Sequence, residues 1–212
     1  MRVNLYGERY FVAGKDKENI VLLTLGTRLA SAVIIDGHIL YGATSSVGEI
    51  DHMNMYRNGR PYKCGGSGCL GRYVSTIGMI QTAKEKLNRG ENSIISDWID
   101  HNYNKITASM LSETFDLEDN VAISTLYETD ELLSYGGYGL VNVINMYNPK
   151  IIIIGGGMSK AGDRLLKKIK EVIKNHVLKI STETCSIFPA DLGYSAKMIG
   201  AAFYSKYCYK KI

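Results

Sequence analysis

A chain of 212 residues with 45% hydrophobic and 22% charged residues has the size and composition of one globular domain with a substantial core, which excludes a largely disordered protein. Its four cysteines do not read as a disulfide framework, because two crowd into one glycine-rich loop and two stand alone, so a reducing compartment fits best. The net charge of +4 comes from scattered Lys and Arg apart from the tail at 206–211, and no basic start leads into a long apolar run; the expectation is a cytoplasmic protein with no direct nucleic-acid partner and no membrane span.

The first strong apolar run, residues 20–25, is too short for a helix and ends at Gly26, which suits a buried strand. Residues 32–35 and 38–41 flank Asp36-Gly37, a dipeptide that tolerates positive φ at both positions and therefore favours a type I′ hairpin turn. Three consecutive antiparallel strands are expected.

Residues 43–69 then form a long loop of the kind that is uncommon unless it is functional. It carries Glu49, His52, Cys64 and Cys69. A neutral His and two thiolates are zinc-type donors, and the four residues between the cysteines let one turn wrap a small cation, which would order the loop. A closed structural site needs four ligands, and Tyr62 stands where a third Cys would complete a Cys-x-Cys-x4-Cys set. Two readings stay open: an incomplete zinc site, or reduced thiols packing as small hydrophobes beside an ordinary histidine.

Apolar residues at 70, 74, 77, 80, 83 and 87 predict one continuous helix that Asn88 and Gly90 end. Residues 93–114 read as short helices, with Thr107 and Ser109 available as caps. A helical pattern over 118–146 is interrupted at Gly136, Gly137 and Gly139 and closes at Pro149. Four consecutive isoleucines, 151–154, have the composition of a central strand covered on both faces. Gly155-Gly156-Gly157 follows directly and precedes Ser159, a candidate cap for a helix over 160–174. Strand, glycine turn and helix form a unit that can approach a phosphate or other polar ligand, although such turns also exist for steric reasons alone. Residues 185–189 read as a last strand. A terminal helix over 196–207 has Ala196, Gly200, Ala201 and Ala202 as a small face suited to close packing.

Taken together, Leu25-Gly26-Thr27, the Asp36-Gly37 hairpin, Gly48-Glu49-Ile50-Asp51-His52, Cys64-Gly-Gly-Ser-Gly-Cys69-Leu70, Asn148-Pro149, Gly155-Gly156-Gly157 and Ile199-Gly200-Ala201-Ala202 resemble the ROK family of bacterial sugar kinases and sugar-sensing repressors. The resemblance implies an actin-like, RNase H-like α/β ATPase lobe with a mixed sheet flanked by helices. It implies a single C-terminal lobe over 1–212, with the first lobe absent. By the same resemblance, Glu49 and His52 bind hydroxyls of a small-molecule sugar, and His52, Cys64 and Cys69 hold zinc. Gly26 and Thr27 approach the phosphates of ATP with Mg, and Gly155, Gly156 and Gly157 contact its adenosine part. The expected assembly is a homodimer or a complex with a separate chain supplying the N-terminal lobe.

Several positions depart from the family pattern. Members continue Gly-Thr with Gly-x-Gly-x-Gly, whereas here Arg28-Leu29-Ala30-Ser31 crowds the phosphate turn. Glu-Ile-Gly-His has become Glu49-Ile50-Asp51-His52, Tyr62 replaces a zinc-binding Cys, and the Glu that follows Cys-Leu is Gly71. Arg28, Tyr62 and Gly71 are expected to fall in three separate functional elements, which points to independent relaxation of function. The family's catalytic Asp aligns immediately before Met1. The resulting expectation is a glucokinase-like lobe, catalytically impaired alone, that binds sugar or nucleotide. Its alternatives are half of a split ATP-dependent hexose kinase, or the sugar-sensing remnant of a repressor.

Overall fold

The computed structural model of the chain describes residues 1–11, 14–134, 139–157, 163–193 and 195–209. Strand β1 (Ile20–Leu25) pairs antiparallel with β2 (Leu29–Ile35), with Leu22 opposite Ala32. The hairpin then turns at Asp36 and Gly37, whose φ values of 48° and 78° are the two positive angles that the dipeptide predicts. Its return strand β3 is short, His38–Ile39, rather than reaching Tyr41. The isoleucine run is β4 (Ile151–Gly155), parallel to β1, and β5 (Ser186–Pro189) lies parallel to β4. The mixed five-stranded sheet has the order β3-β2-β1-β4-β5. β1 and β4 are therefore central, which explains why both read as uninterrupted apolar runs.

Alternate residues of the central strands feed two cores. Ile20, Leu22, Ile34, Ile151 and Ile153 pack with Leu5 and Tyr6 of helix α1 (Arg2–Phe11), and Tyr204 of the terminal helix joins them. Val21, Leu23, Leu25, Val33, Ile152 and Ile154 form the opposite face. Helices α2 (Gly71–Val74), α3 (Thr76–Asn88), α4 (Ile94–Trp98), α5 (Ala108–Asp116), α6 (Asn120–Ser134), α7 (Leu140–Tyr147), α8 (Asp163–His176), α9 (Lys179–Thr184) and α10 (Ser195–Tyr209) complete the chain. Val74, Leu133, Ile144 and Ile169 cover that opposite face, and a separate helical cluster around Ala83, Ile95, Leu111 and Ala122 packs farther out. Among the described residues no helix is long and apolar enough to cross a membrane.

The single helix predicted from Leu70 to Leu87 is in fact two. Ser75 is extended (φ −82°, ψ 166°), its hydroxyl donates to the Gly71 carbonyl at 2.6 Å and accepts from the Gly78 amide at 3.2 Å, so its side chain ends α2 and caps α3. Thr107 caps α5 as expected, by accepting from the Met110 amide; Ser93 caps α4. Gly136, Gly137 and the predicted cap Ser159 lie outside the described residues, whereas Gly139 precedes α7 directly.

Helices α1 and α10 meet across Gly7 and Gly200. A Cβ built on Gly200 would stand 1.7 Å from the Val3 carbonyl oxygen, so the small face serves close helix packing. Gly200→Ala is expected to lower stability by about 2–3 kcal/mol by forcing the helices apart. Urea denaturation checks this; an unchanged midpoint would contradict the packing.

Candidate functional site

The long loop is placed by its two ends. The Ser31 hydroxyl of β2 donates to the Gly48 carbonyl, and Gly48 takes φ +90° there, which sends residues 50–52 into one 3₁₀ turn against the sheet. At the other end the loop folds on itself: Met55 N–H donates to Gly68, Gly68 to Arg60 and Tyr62 to Gly66. Antiparallel bridges join Asn54 with Cys69 and Pro61 with Ser67. Arg60 then fixes the loop to α3. Its guanidinium reaches both oxygens of Glu85 (2.6 and 3.1 Å), Thr82 Oγ1 and the carbonyls of Arg72 and Gly78, and it lies 4.6 Å from the Tyr73 ring centre. The loop's own backbone bonds and Arg60 thus hold it in place. Nothing in the residue pattern marked Arg60, since its partners lie on a later helix.

These constraints bring together the donors that the sequence singled out. Ligand atoms of His52, Cys64 and Cys69 lie within 4.8 Å of one another, and so do those of Glu49, Asp51 and His52, with His52 common to both groups. The two sulfurs are 3.6 Å apart. Donor types and spacing fit zinc, and the same atoms are close enough for reduced thiols in contact, so geometry alone satisfies both sequence readings. Asp51, which the sequence analysis gave no role, is 4% exposed. Its Oδ2 accepts a 3.0 Å hydrogen bond from the Tyr62 hydroxyl and sits 3.6 Å from His52 Nε2. The rings of His52 and Tyr62 are 5.1 Å apart.

The two thiols differ. Donation from the Gly66 amide, then from His52, brings exposed Cys64 below its ordinary value, while burial and the adjoining Cys64 push Cys69 up. Cys185, half-buried in apolar surroundings, is pushed up by burial to about 11. Iodoacetamide added to metal-free protein near neutral pH is therefore expected to alkylate Cys64 roughly tenfold or more faster than Cys185, because the thiolate is the nucleophile. Peptide mapping reads each position, and equal rates would contradict this environment.

Glu49 and His52 are both exposed. Glu49 lines a cavity of about 410 Å³ with Met1, Arg2, Val3, Ser31, Tyr41 and Tyr204. Elsewhere, Thr27, Arg28, Tyr62, Lys63, Gly71 and Arg72 line a cleft of about 340 Å³ at the start of α3. Arg28, Tyr62 and Gly71, which come from three separate elements, therefore share one cleft. Arg28 and Lys63 form no ion pair with any described residue, and Arg72 Nε is buried without a hydrogen-bond partner. The cleft can hold an anion.

Of the predicted nucleotide residues, Gly26 and Thr27 form the β1–β2 turn, and the Gly26 carbonyl accepts from the Thr76 amide at the start of α3. Gly155 ends β4 beside Thr24, and Gly156 follows with φ +97°. A Cβ on Gly156 would meet the Leu25 carbonyl oxygen at 2.2 Å, a packing requirement that accounts for this glycine by itself. Among the described residues, a Cβ built on Gly26 would meet nothing closer than the Arg28 carbonyl oxygen at 4.0 Å, and one on Gly157 nothing within 4 Å, so packing against described residues does not account for these two glycines.

Comparison with known proteins agrees with this architecture. The chain is 34% identical over 202 residues to the glucokinase of Halalkalibacterium halodurans, covering 94% of itself and 60% of that protein. It is 25% identical over 195 residues to the xylose repressor of Bacillus subtilis, covering 92% of itself and 46% of the repressor. The crystal structure of a ROK family glucokinase from Streptomyces griseus in complex with glucose and AMPPNP superposes with a TM-score of 0.81 at 25% identity, over 96% of this chain and 65% of that one. The chain thus spans about 60% of the glucokinases that it matches and less of the repressors. The fold is the actin-like ATPase fold of ROK sugar kinases. The ROK family model matches residues 1–207, and the chain belongs to the ROK family.

Proposed function

We propose that this chain is a ROK lobe that binds a small sugar through Glu49 and His52, with zinc held by His52, Cys64 and Cys69. A carboxylate and an imidazole suit the reading of adjacent hydroxyls, and a ligated histidine has a fixed tautomer and orientation. The observation that carries this reading is that ligand atoms of Glu49, which precedes the 3₁₀ turn, and His52, which ends it, lie within 4.8 Å of each other, with both thiols beside the same histidine. Relatives that include a glucokinase bound to glucose and AMPPNP support it.

The phosphates of a nucleotide, with Mg, would sit against Gly26 and Thr27, and its adenosine part against Gly155, Gly156 and Gly157. Arg28, Lys63 and Arg72 add cations on the phosphate side of that cleft. Arg28 replaces backbone approach by a side chain, so the reading is one of binding with impaired phosphoryl transfer by this chain alone. Incubated with ATP, Mg and a panel of hexoses, the purified chain is expected to form no sugar phosphate, and sustained turnover would overturn the impairment.

A second reading, a hexose kinase completed by residues outside this chain, draws on the Glu49 cavity. Met1, Arg2 and Val3 form one of its walls, so a preceding segment or a separate chain would come close to a sugar held by Glu49.

A further inference from the structure

Asp51 is a buried carboxylate without a cationic side chain to balance it. Among the described residues, its one close basic group is the His52 ring at 3.6 Å, and no Lys or Arg pairs with it. Oδ2 accepts the Tyr62 hydroxyl, but Oδ1 is buried with no hydrogen-bond partner. A carboxylate held in this way is compensated when a cation binds beside it.

The surroundings are shaped around that carboxylate. A Cβ built on Gly71 would stand 2.9 Å from Asp51 Cβ and 3.4 Å from its carbonyl oxygen, so the residue after Leu70 has to be small when position 51 carries a side chain. Tyr62 donates from the position where a thiolate would complete the zinc set, and what it holds is the Asp51 oxygen. Asp51, Tyr62 and Gly71 are therefore one interlocked group.

Spacing completes the argument. A tetrahedral ion bound at about 2.0–2.3 Å holds its ligand atoms about 3.3–3.8 Å apart. Asp51 Oδ2 and His52 Nε2 are 3.6 Å apart, and Cys64 Sγ and Cys69 Sγ are also 3.6 Å apart. His52 belongs to both the sulfur group and the carboxylate group, while Asp51 and the two sulfurs do not all lie within 4.8 Å of one another, so an ion drawn to His52 has to close the two pairs onto itself.

We propose that Asp51 is the fourth ligand of the metal, its carboxylate taking the place of the thiolate that Tyr62 has replaced. The site is then His, Asp and two Cys, a set for a divalent transition cation that is harder than three thiolates with one His. Tyr62 is a positioning residue that aims the carboxylate. The proposal rests on the zinc reading given above for His52, Cys64 and Cys69.

The test compares wild type, Asp51→Asn, Tyr62→Phe and the double variant Asp51→Gly/Tyr62→Cys. Zinc content is read by elemental analysis, affinity by competition with a chromophoric chelator, and the sulfur count by Co(II) charge-transfer absorption. Wild type is expected to hold about one zinc with a two-thiolate Co(II) spectrum. Asp51→Asn is expected to bind at least about tenfold more weakly, and Tyr62→Phe to lose less than that. The double variant is expected to recover wild-type affinity or better, with the Co(II)–sulfur band increased by about half, from two thiolates to three. Melting of each metal-free variant separates lost ligation from lost folding, and the double variant decides if Asp51→Asn does not fold. Asp51→Asn with wild-type affinity, or a double variant that gains no third-thiolate absorption, overturns the role of Asp51 while leaving zinc at the other three residues intact. Wild type without zinc overturns both.

Discussion

Arg60→Ala is expected to destabilise the protein by about 2–4 kcal/mol and to free residues 43–69 from α3. The guanidinium is only 12% exposed and is the common partner of Glu85, Thr82 and two main-chain carbonyls, so its removal costs several charge-assisted bonds at once. Arg60→Lys recovers only part of the loss, because an ammonium cannot reproduce the planar fork that meets Glu85 and the two carbonyls together. The loss has a pH signature. Burial alone would push the Glu85 carboxyl up, but the Arg60 and Gln81 hydrogen bonds bring it below its ordinary 4.5. A carboxyl depressed in the folded state contributes stability above its unfolded value, and this contribution disappears as pH falls through the folded one. Wild type should therefore lose stability below about pH 4.5 more steeply than Arg60→Ala. Urea midpoints at pH 7 and pH 3.5 measure both effects; parallel curves would contradict the role of the Arg60–Glu85 pair.

Glu49→Ala is the second large expected effect, and it falls on binding rather than on folding. Glu49 is exposed, so thermal stability should change by less than about 0.5 kcal/mol. A charge-assisted hydrogen bond to a sugar hydroxyl is worth about 1.5–3 kcal/mol, which predicts a loss of affinity of roughly 10- to 150-fold. Glu49→Gln keeps the shape and an acceptor oxygen and should lose less. Calorimetric titration distinguishes the two variants, and equal affinity of Glu49→Ala and wild type would remove Glu49 from the sugar site.

Regular structure was legible where one local rule decides it. Residues 20–25 and 151–154 are apolar on both faces because their strands are central, and Asp36-Gly37 turns as its backbone preference requires. The helix break at Ser75 was not legible, because the apolar spacing continues across it while one hydroxyl rearranges the local hydrogen bonds. In the site, the donor residues and their grouping could be named from the loop alone, but the residues from other elements that line the neighbouring cleft could not. Arg28 comes from a strand turn, Tyr62 from the loop and Gly71 from a helix start, and only the fold shows that they line one cleft. Asp51 was visible as a departure from a family motif; its meaning required the contact with Tyr62 and the space left by Gly71.

A lobe that recognises sugar does so whether or not it transfers phosphate. The most direct test is calorimetric titration of the zinc-loaded wild-type chain with individual hexoses, each with and without Mg-ATP. Saturable binding of at least one hexose, weakened by Glu49→Ala and abolished by His52→Ala, is the predicted result; no binding of any hexose by folded, zinc-loaded protein would contradict it.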